Sequence, residues 1–249
     1  MRKQYLKLWV LLPFFHILMV YGMMTNEHWL LILILGFVLH FPIHHLGNNF
    51  GHHKLFSHNA FAPAKWYPYL SAFLSSISFF GDPLGYALVH RLHHKYADTN
   101  LDPHSPKDGR FHAYIGWIAK FNPTARQKLM IADLVRKYKW MLSYSKFEFL
   151  VPVVFYAVVF SLNFTAGYIV LFASLLAFHL TAIASAFAHS VVDKVDTTNN
   201  AVDNMWAAYL LGGSFLHKQH HDNVSLYDCS YNGYVDYWAI VIKRFFMEK

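Results

Sequence analysis

A single cysteine, Cys229, in 249 residues excludes a disulfide framework and any cysteine-ligated zinc or iron–sulfur site. Charge is scarce too. Only 14% of residues are Asp, Glu, Lys or Arg, against about 25% in soluble domains, while 55% are hydrophobic and 18% aromatic. These counts exclude a disordered chain and argue against an ordinary soluble domain. Acidic residues number 14 against 21 Lys and Arg, and the formal net charge of +7 would attract an acidic partner or anionic lipid head groups. There is no G-x-G-x-x-G loop for a dinucleotide, no internal repeat, no low-complexity tract, and nothing that points to nucleic acid. Histidine is plentiful instead: its 18 copies outnumber the acidic residues.

The missing charges leave gaps long enough for a bilayer. Residues 8–26 and 149–192 contain no Asp, Glu, Lys or Arg, and between Glu27 and Lys54 there is none either. A helical crossing needs about 20 apolar residues. The runs predict an all-α integral membrane protein with spans at about 6–24, 28–47, 148–163 and 166–189. A shorter apolar stretch, 66–80, holds Pro68 and precedes Gly81-Asp82-Pro83, and reads as an interfacial or re-entrant helix. The two short connectors, 25–27 and 163–167, carry no Lys or Arg. All the basic residues therefore share one face, which the positive-inside rule makes cytoplasmic along with both termini. Residues 48–147 and 190–249 form the expected cap of one domain. The absence of a small-residue cleavage site favours a retained anchor over a signal peptide, and the short termini suit a bacterial inner membrane.

The histidines cluster in that cap or at its border. His53 and His58 follow the second span, His90, His93 and His94 follow the 66–80 stretch, His189 ends the last span, and His217, His220 and His221 come 28 residues later. On an α-helix, positions i, i+3 and i+4 share a face, so each His-x2-His-His group can present three imidazoles together. His53 and His58, five apart, stand roughly 140° apart on an α-helix, poorly placed to chelate one ion from a regular helix but able to reach two ions from its end. Neutral imidazole suits Zn, Cu, Fe and Ni. Nine ligands exceed one ion's needs, and two ions sharing them keep four or five each, with open positions for a small molecule such as O2, unlike a closed structural zinc site. His16, His28, His112 and His179 read as surface or core residues. His40, His44 and His45 read as residues meeting the membrane interface, although His40 and His44 at i, i+4 also admit a haem or metal reading. His52 adjoins His53 and is placed to exchange roles with it. Asp98 and Asp102 are placed to accept imidazole N–H groups and orient the rings, or to cap a turn before Pro103.

In order and spacing these groups resemble the three histidine boxes of membrane fatty acyl desaturases of the stearoyl-CoA desaturase type. The resemblance is carried by Gly51-His-His-Lys-Leu-Phe-Ser-His58, by His90-Arg-Leu-His-His-Lys-Tyr-Ala-Asp-Thr-Asn-Leu-Asp-Pro-His104, by Ile115-Gly-Trp117, by 133–140 and by Gly213-Ser-Phe-Leu-His-Lys-Gln-His-His221. It runs from about 40 to 245. It implies four membrane helices under a cytosolic helical cap, with a di-iron centre held by His53, His58, His90, His93, His94, His189, His217, His220 and His221. The implied reaction uses O2 and two electrons to remove two hydrogens from adjacent methylenes of an acyl chain, leaving a cis double bond, with delta-9 as the candidate position. Three positions depart from the family pattern. Ser185 stands where an Asn often holds a metal-bound water, a role its hydroxyl can also take beside Asp98 and Asp102, Lys218 replaces the Asn of the third box, and the family's tryptophan is missing between Phe79 and His90.

Unactivated C–H bonds need a metal–oxygen species, which ranks iron above zinc. The methylene pair must be held beside the metals in an apolar tunnel that the aromatics and leucines of the spans and of 66–80 can wall. The electrons must come from an external donor. The basic residues Arg126, Lys128, Arg136, Lys137 and Lys139 are equally suited to an acidic ferredoxin or b-type cytochrome, to lipid head groups, or to the phosphates of an acyl carrier. The acyl substrate itself is expected on CoA, a carrier protein or a lipid. Two rival classes stay open: a membrane di-iron hydroxylase or ketolase on alkyl or isoprenoid chains, and a non-enzymatic histidine-rich metal transporter.

Overall fold

The computed structural model describes residues 2–192 and 199–248, with side chains from residue 9 onward, so residues 193–198 of the expected cap lie outside the described residues. The fold is all-helical; among the described residues the only extended pairing is a set of isolated antiparallel bridges. The principal helices are α1 (Arg2–Thr25), α2 (Trp29–Ser57), α3 (Tyr67–Ile77), α4 (Pro83–Tyr96), α5 (Leu150–Leu162), α6 (Phe164–Phe187), α7 (His217–Asp222) and α8 (Tyr237–Phe245). By length and composition α2 and α6 can each cross a membrane. A third crossing arises if Met141–Phe147 and α5, bent by 64°, count as one span, and α1 adds a shorter apolar stretch, Trp9–Thr25.

α2 exposes Trp29, Leu30, Ile34, Phe37 and Val38 while burying Ile32, Gly36 and His40 against the bundle. A helix with large apolar side chains on its outer face as well as its inner one needs lipid, not water, around it. Leu12, Phe15 and Met19 of α1 pack with Ile32, Tyr156 of α5, and Tyr168, Leu171 and Phe178 of α6. At the opposite end of α2 and α6 from His53 and His189, Asn26 donates from Nδ2 to Thr165 Oγ1 at 3.1 Å, which pins the two short connectors to each other.

α2 departs from the expected span. It does not stop near residue 47 but continues to Ser57, and from Ile43 to Ser57 it is wound as a π-helix. Gly47 and Gly51 make room for α3: a Cβ on Gly47 would lie 2.9 Å from Leu74 Cβ and 3.0 Å from the Ser75 amide, and one on Gly51 would lie 2.5 Å from Ser71 Cβ. Small residues on both helices allow this approach, as in membrane helix pairs. The 66–80 stretch forms α3, whose 11 residues are too short to span. α4 starts at Asp82, whose Oδ1 accepts from the Leu84 and Gly85 amides at 3.0 Å, with Pro83 in the first turn.

Candidate metal centre

Four separate stretches of chain deliver the nine histidines to one place. The π-wound end of α2 supplies His53 and, at its C-terminal cap, His58. α4 supplies His90, His93 and His94, and α7 supplies His217, His220 and His221. His189 follows α6 and is held by an antiparallel bridge to Ala201, with Ser190 N donating to Asn200 O and Val202 N to Ala188 O, both at 2.8 Å.

The nine form two groups. His53, His58, His90, His94 and His220 offer five nitrogens within 4.8 Å of one another, and His93, His189, His217 and His221 offer four. In the first group the Nε2 separations are 2.8 Å for His53–His220 and His58–His90, and 2.9 Å for His90–His94 and His94–His220. In the second they are 3.2 Å for His93–His189 and His189–His221, 3.1 Å for His189–His217 and 3.0 Å for His217–His221. At a metal–nitrogen distance of roughly 2.1 Å, ligands at right angles stand about 3.0 Å apart and tetrahedral ones about 3.4 Å. Separations of this order fit nitrogens gathered around a common ion in each group. The groups adjoin: the rings of His94 and His221 stack at 4.1 Å between centroids.

His53 and His58 enter the same group, which corrects the expectation that they serve different ions. The reason is the winding. In a π-helix residue i bonds to i+5, so residues five apart stand one turn above each other and no longer on divergent faces. The centroids of the two rings are 5.3 Å apart.

Burial and the neighbouring imidazoles push His90, His217 and His220 well below the ordinary histidine range. His58 is lowered to about 3, first by burial and then by the Arg91 guanidinium, and His221 to about 3 by burial and His189. These rings are therefore neutral near pH 7, the form that binds metal. Asp102 accepts from His93 Nδ1 at 2.9 Å, and Asp98 from His189 Nδ1 at 2.9 Å. For Asp98, burial works upward, but hydrogen bonds from His189 and the Asn200 amide prevail and hold the carboxyl below its usual range.

The remaining candidates lie outside both groups. His52 is fully buried and stacks on Tyr86 at 5.2 Å, so it does not exchange roles with His53. His40 Nδ1 donates to Phe37 O, His44 Nδ1 lies 3.2 Å from Thr181 Oγ1, and His45 stacks on Trp238. His16 pairs with His179 at 2.8 Å, and Tyr114 bonds to His179. Ser185 donates to Thr181 O one turn back, and Lys218 turns outward to pair with Asp222. Two residues at the centre received no role from the sequence: His104, buried and stacked on His93 at 4.3 Å, and Tyr86, stacked on His90 at 5.7 Å. The Asp-Pro-His run was the only available signal for the first.

Two cavities reach the groups. One is walled by Phe79, Phe80, Tyr86, Val89, Tyr114, Trp117, Ile118 and Phe178 and touches His90 and His104. The other is bordered by His53, His90, His93 and His217 and lined by Asn48, Asn49, Thr181 and Ser214. Tyr86, His90, His104 and Ser185 border both.

The family model for fatty acid desaturases matches residues 25–241. Among curated proteins, the chain is 27% identical over 219 residues to delta-9 acyl-lipid desaturase 2 of Arabidopsis thaliana, covering 84% of this chain and 69% of that one. It is 28% identical over 213 residues to a probable acyl-CoA desaturase of Schizosaccharomyces pombe (81% and 44%), and 26% identical over 223 residues to the acyl-CoA delta-11 desaturase of Trichoplusia ni (83% and 63%). The chain thus spans less than two thirds of the length of the second and third.

Proposed function

The chain belongs to the fatty acid desaturase family, and on that premise we propose that it introduces a cis double bond into a fatty acyl chain, using O2 and two external electrons, at a pair of iron ions. The observation that carries this reading is the division of nine inward-facing imidazoles into adjoining groups of five and four, bordering an aromatic cavity. Iron, when bound, supplies the oxygen chemistry that no side-chain acid or base can start on unactivated methylenes. The nine histidines are its proposed ligands. Asp98 and Asp102 hold the His189 and His93 rings with Nε2 turned inward. Phe79, Phe80, Tyr86, Trp117 and Phe178 exclude water and fix the acyl chain, so that one methylene pair stays beside His90.

Four crossings, α1, α2, α5 with its bent lead-in, and α6, put the histidines in a cap on the side that carries the basic residues. The Asn26–Thr165 bond at the opposite end supports this arrangement. The surface with Arg126, Lys128, Arg136, Lys137 and Lys139 offers a docking face for an acidic ferredoxin or b-type cytochrome. Acyl-CoA and acyl-lipid both occur in the names of relatives, and both are proposed as substrate forms, with insertion at delta-9 or delta-11.

Expression in a host without desaturases, followed by fatty acid profiling, tests the reading. The expected product is an acyl chain lighter by two hydrogens, abolished by His93→Ala and by His220→Ala. A product heavier by one oxygen points instead to hydroxylation, and a double bond that survives both substitutions overturns the di-iron assignment.

A further inference from the structure

The two histidine groups differ in what stands behind them. Asp102, 5% exposed, brings both carboxylate oxygens to His93 Nδ1 at 2.9 and 3.0 Å, and is itself fixed by the amides of Asp98 (3.0 Å) and His104 (3.1 Å). Asp98, 9% exposed, holds His189 Nδ1 at 2.9 Å and takes the Asn200 amide at 2.6 Å. Its φ of +63° is a left-handed conformation that Asp tolerates better than most residues. Two of the four imidazoles in that group therefore rest on buried anions.

Nothing comparable backs the group of five. Among the described residues none of its imidazoles has a carboxylate partner, and His220 Nδ1 is buried with no partner at all. Its charged neighbours are cations. Arg91 Nε donates to Ser57 O at 2.7 Å, beside His58, and Lys54 is fully buried next to His53. Each cation has its own acid, Asp133 at 2.6 Å and Asp236 at 3.7 Å, and neither acid touches an imidazole.

We infer that the two metal positions are unequal: the His93–His189–His217–His221 group fills first and holds its ion more tightly, with Asp98 and Asp102 as the positioning residues responsible. This rests on the dinuclear reading above. A carboxylate accepting the far N–H makes an imidazole a stronger donor and fixes its orientation before the ion arrives, whereas the five imidazoles must be ordered by the ion and gather it between two cations. The ion in the group of five is then the one lost first to a chelator.

The test is titration of the metal-free, full-length protein in detergent with Co2+, followed by its visible absorption and by equilibrium dialysis. Two steps at least about tenfold apart are expected. Asp102→Asn keeps the side chain's shape and removes its charge; it should weaken the first step by about 10- to 100-fold and leave the second in place. Asp98→Asn should act the same way, Asp102→Glu should restore part of the loss, and His53→Ala should remove only the second step. Helix content by circular dichroism screens each variant for folding. Two ions bound with equal affinity, or Asn variants that weaken both steps alike or only the weaker one, overturn the inequality and leave the desaturase reading standing. Fewer than two ions bound by the unaltered protein sinks the dinuclear reading itself.

Discussion

Lys54 shows how a residue beside the histidines is made tolerable. It is 1% exposed, its Nζ donates to Tyr227 O at 2.5 Å, and it lies 3.7 Å from Asp236 Oδ2 and 4.3 Å over the Phe50 ring. Asp236 is wholly buried and also accepts from the Cys229 and Ala239 amides. Breaking a buried pair from one side leaves an uncompensated charge, at a cost of about 3–5 kcal/mol. Lys54→Met should lower stability by that amount in denaturant unfolding, and adding Asp236→Asn should recover part of it. A fully stable Lys54→Met would mean that the pair is dispensable.

At the scale of elements, the π-wound end of α2 decides where His53 and His58 point, and α3 is its support. Gly51 sits where any Cβ would meet Ser71 Cβ at 2.5 Å. Gly51→Ala should therefore cost about 1–3 kcal/mol, seen as a lowered melting temperature, because overpacking pushes backbone or rotamers out of place. Ser71→Gly in the same chain should restore only part of the loss, because the Leu46 carbonyl oxygen still lies 2.9 Å from the added Cβ. The winding also marks a limit of reading from spacing. The His-x2-His-His runs on α4 and α7 each divide, the i, i+4 pair going to one group and the middle histidine to the other, and no local rule separates 15 residues of π-helix from α-helix, because the choice follows from packing against α3, α4 and α6.

For the whole molecule, the histidines set the pH response. In the metal-free state His90, His217 and His220 stay neutral when folded but take up protons near pH 6.5 when unfolded. The unfolded state then binds more protons, so folding stability falls as pH drops below about 6.5, by about 1.4 kcal/mol per pH unit for each such ring. Thermal melts of metal-free protein between pH 7.5 and 5.5 should show a steep decline, and bound metal should flatten its upper part because protons must first displace the ion. Equal melting temperatures across that range would show that the rings titrate normally.

Composition and the order of charged and apolar runs determined the helical class, the apolar runs and which histidines were candidate ligands, because lipid exposure and ligand chemistry are properties of short segments. Asp98 and Asp102 were legible as candidates, although not which ring each would hold. Tertiary structure alone decided the five-and-four partition, the union of His53 with His58, the exclusion of His52 and the placing of both carboxylates behind one group. Those outcomes join residues up to 167 positions apart, as in the 2.8 Å approach of His53 to His220, and such distances are fixed by how helices pack, not by any pattern along the chain.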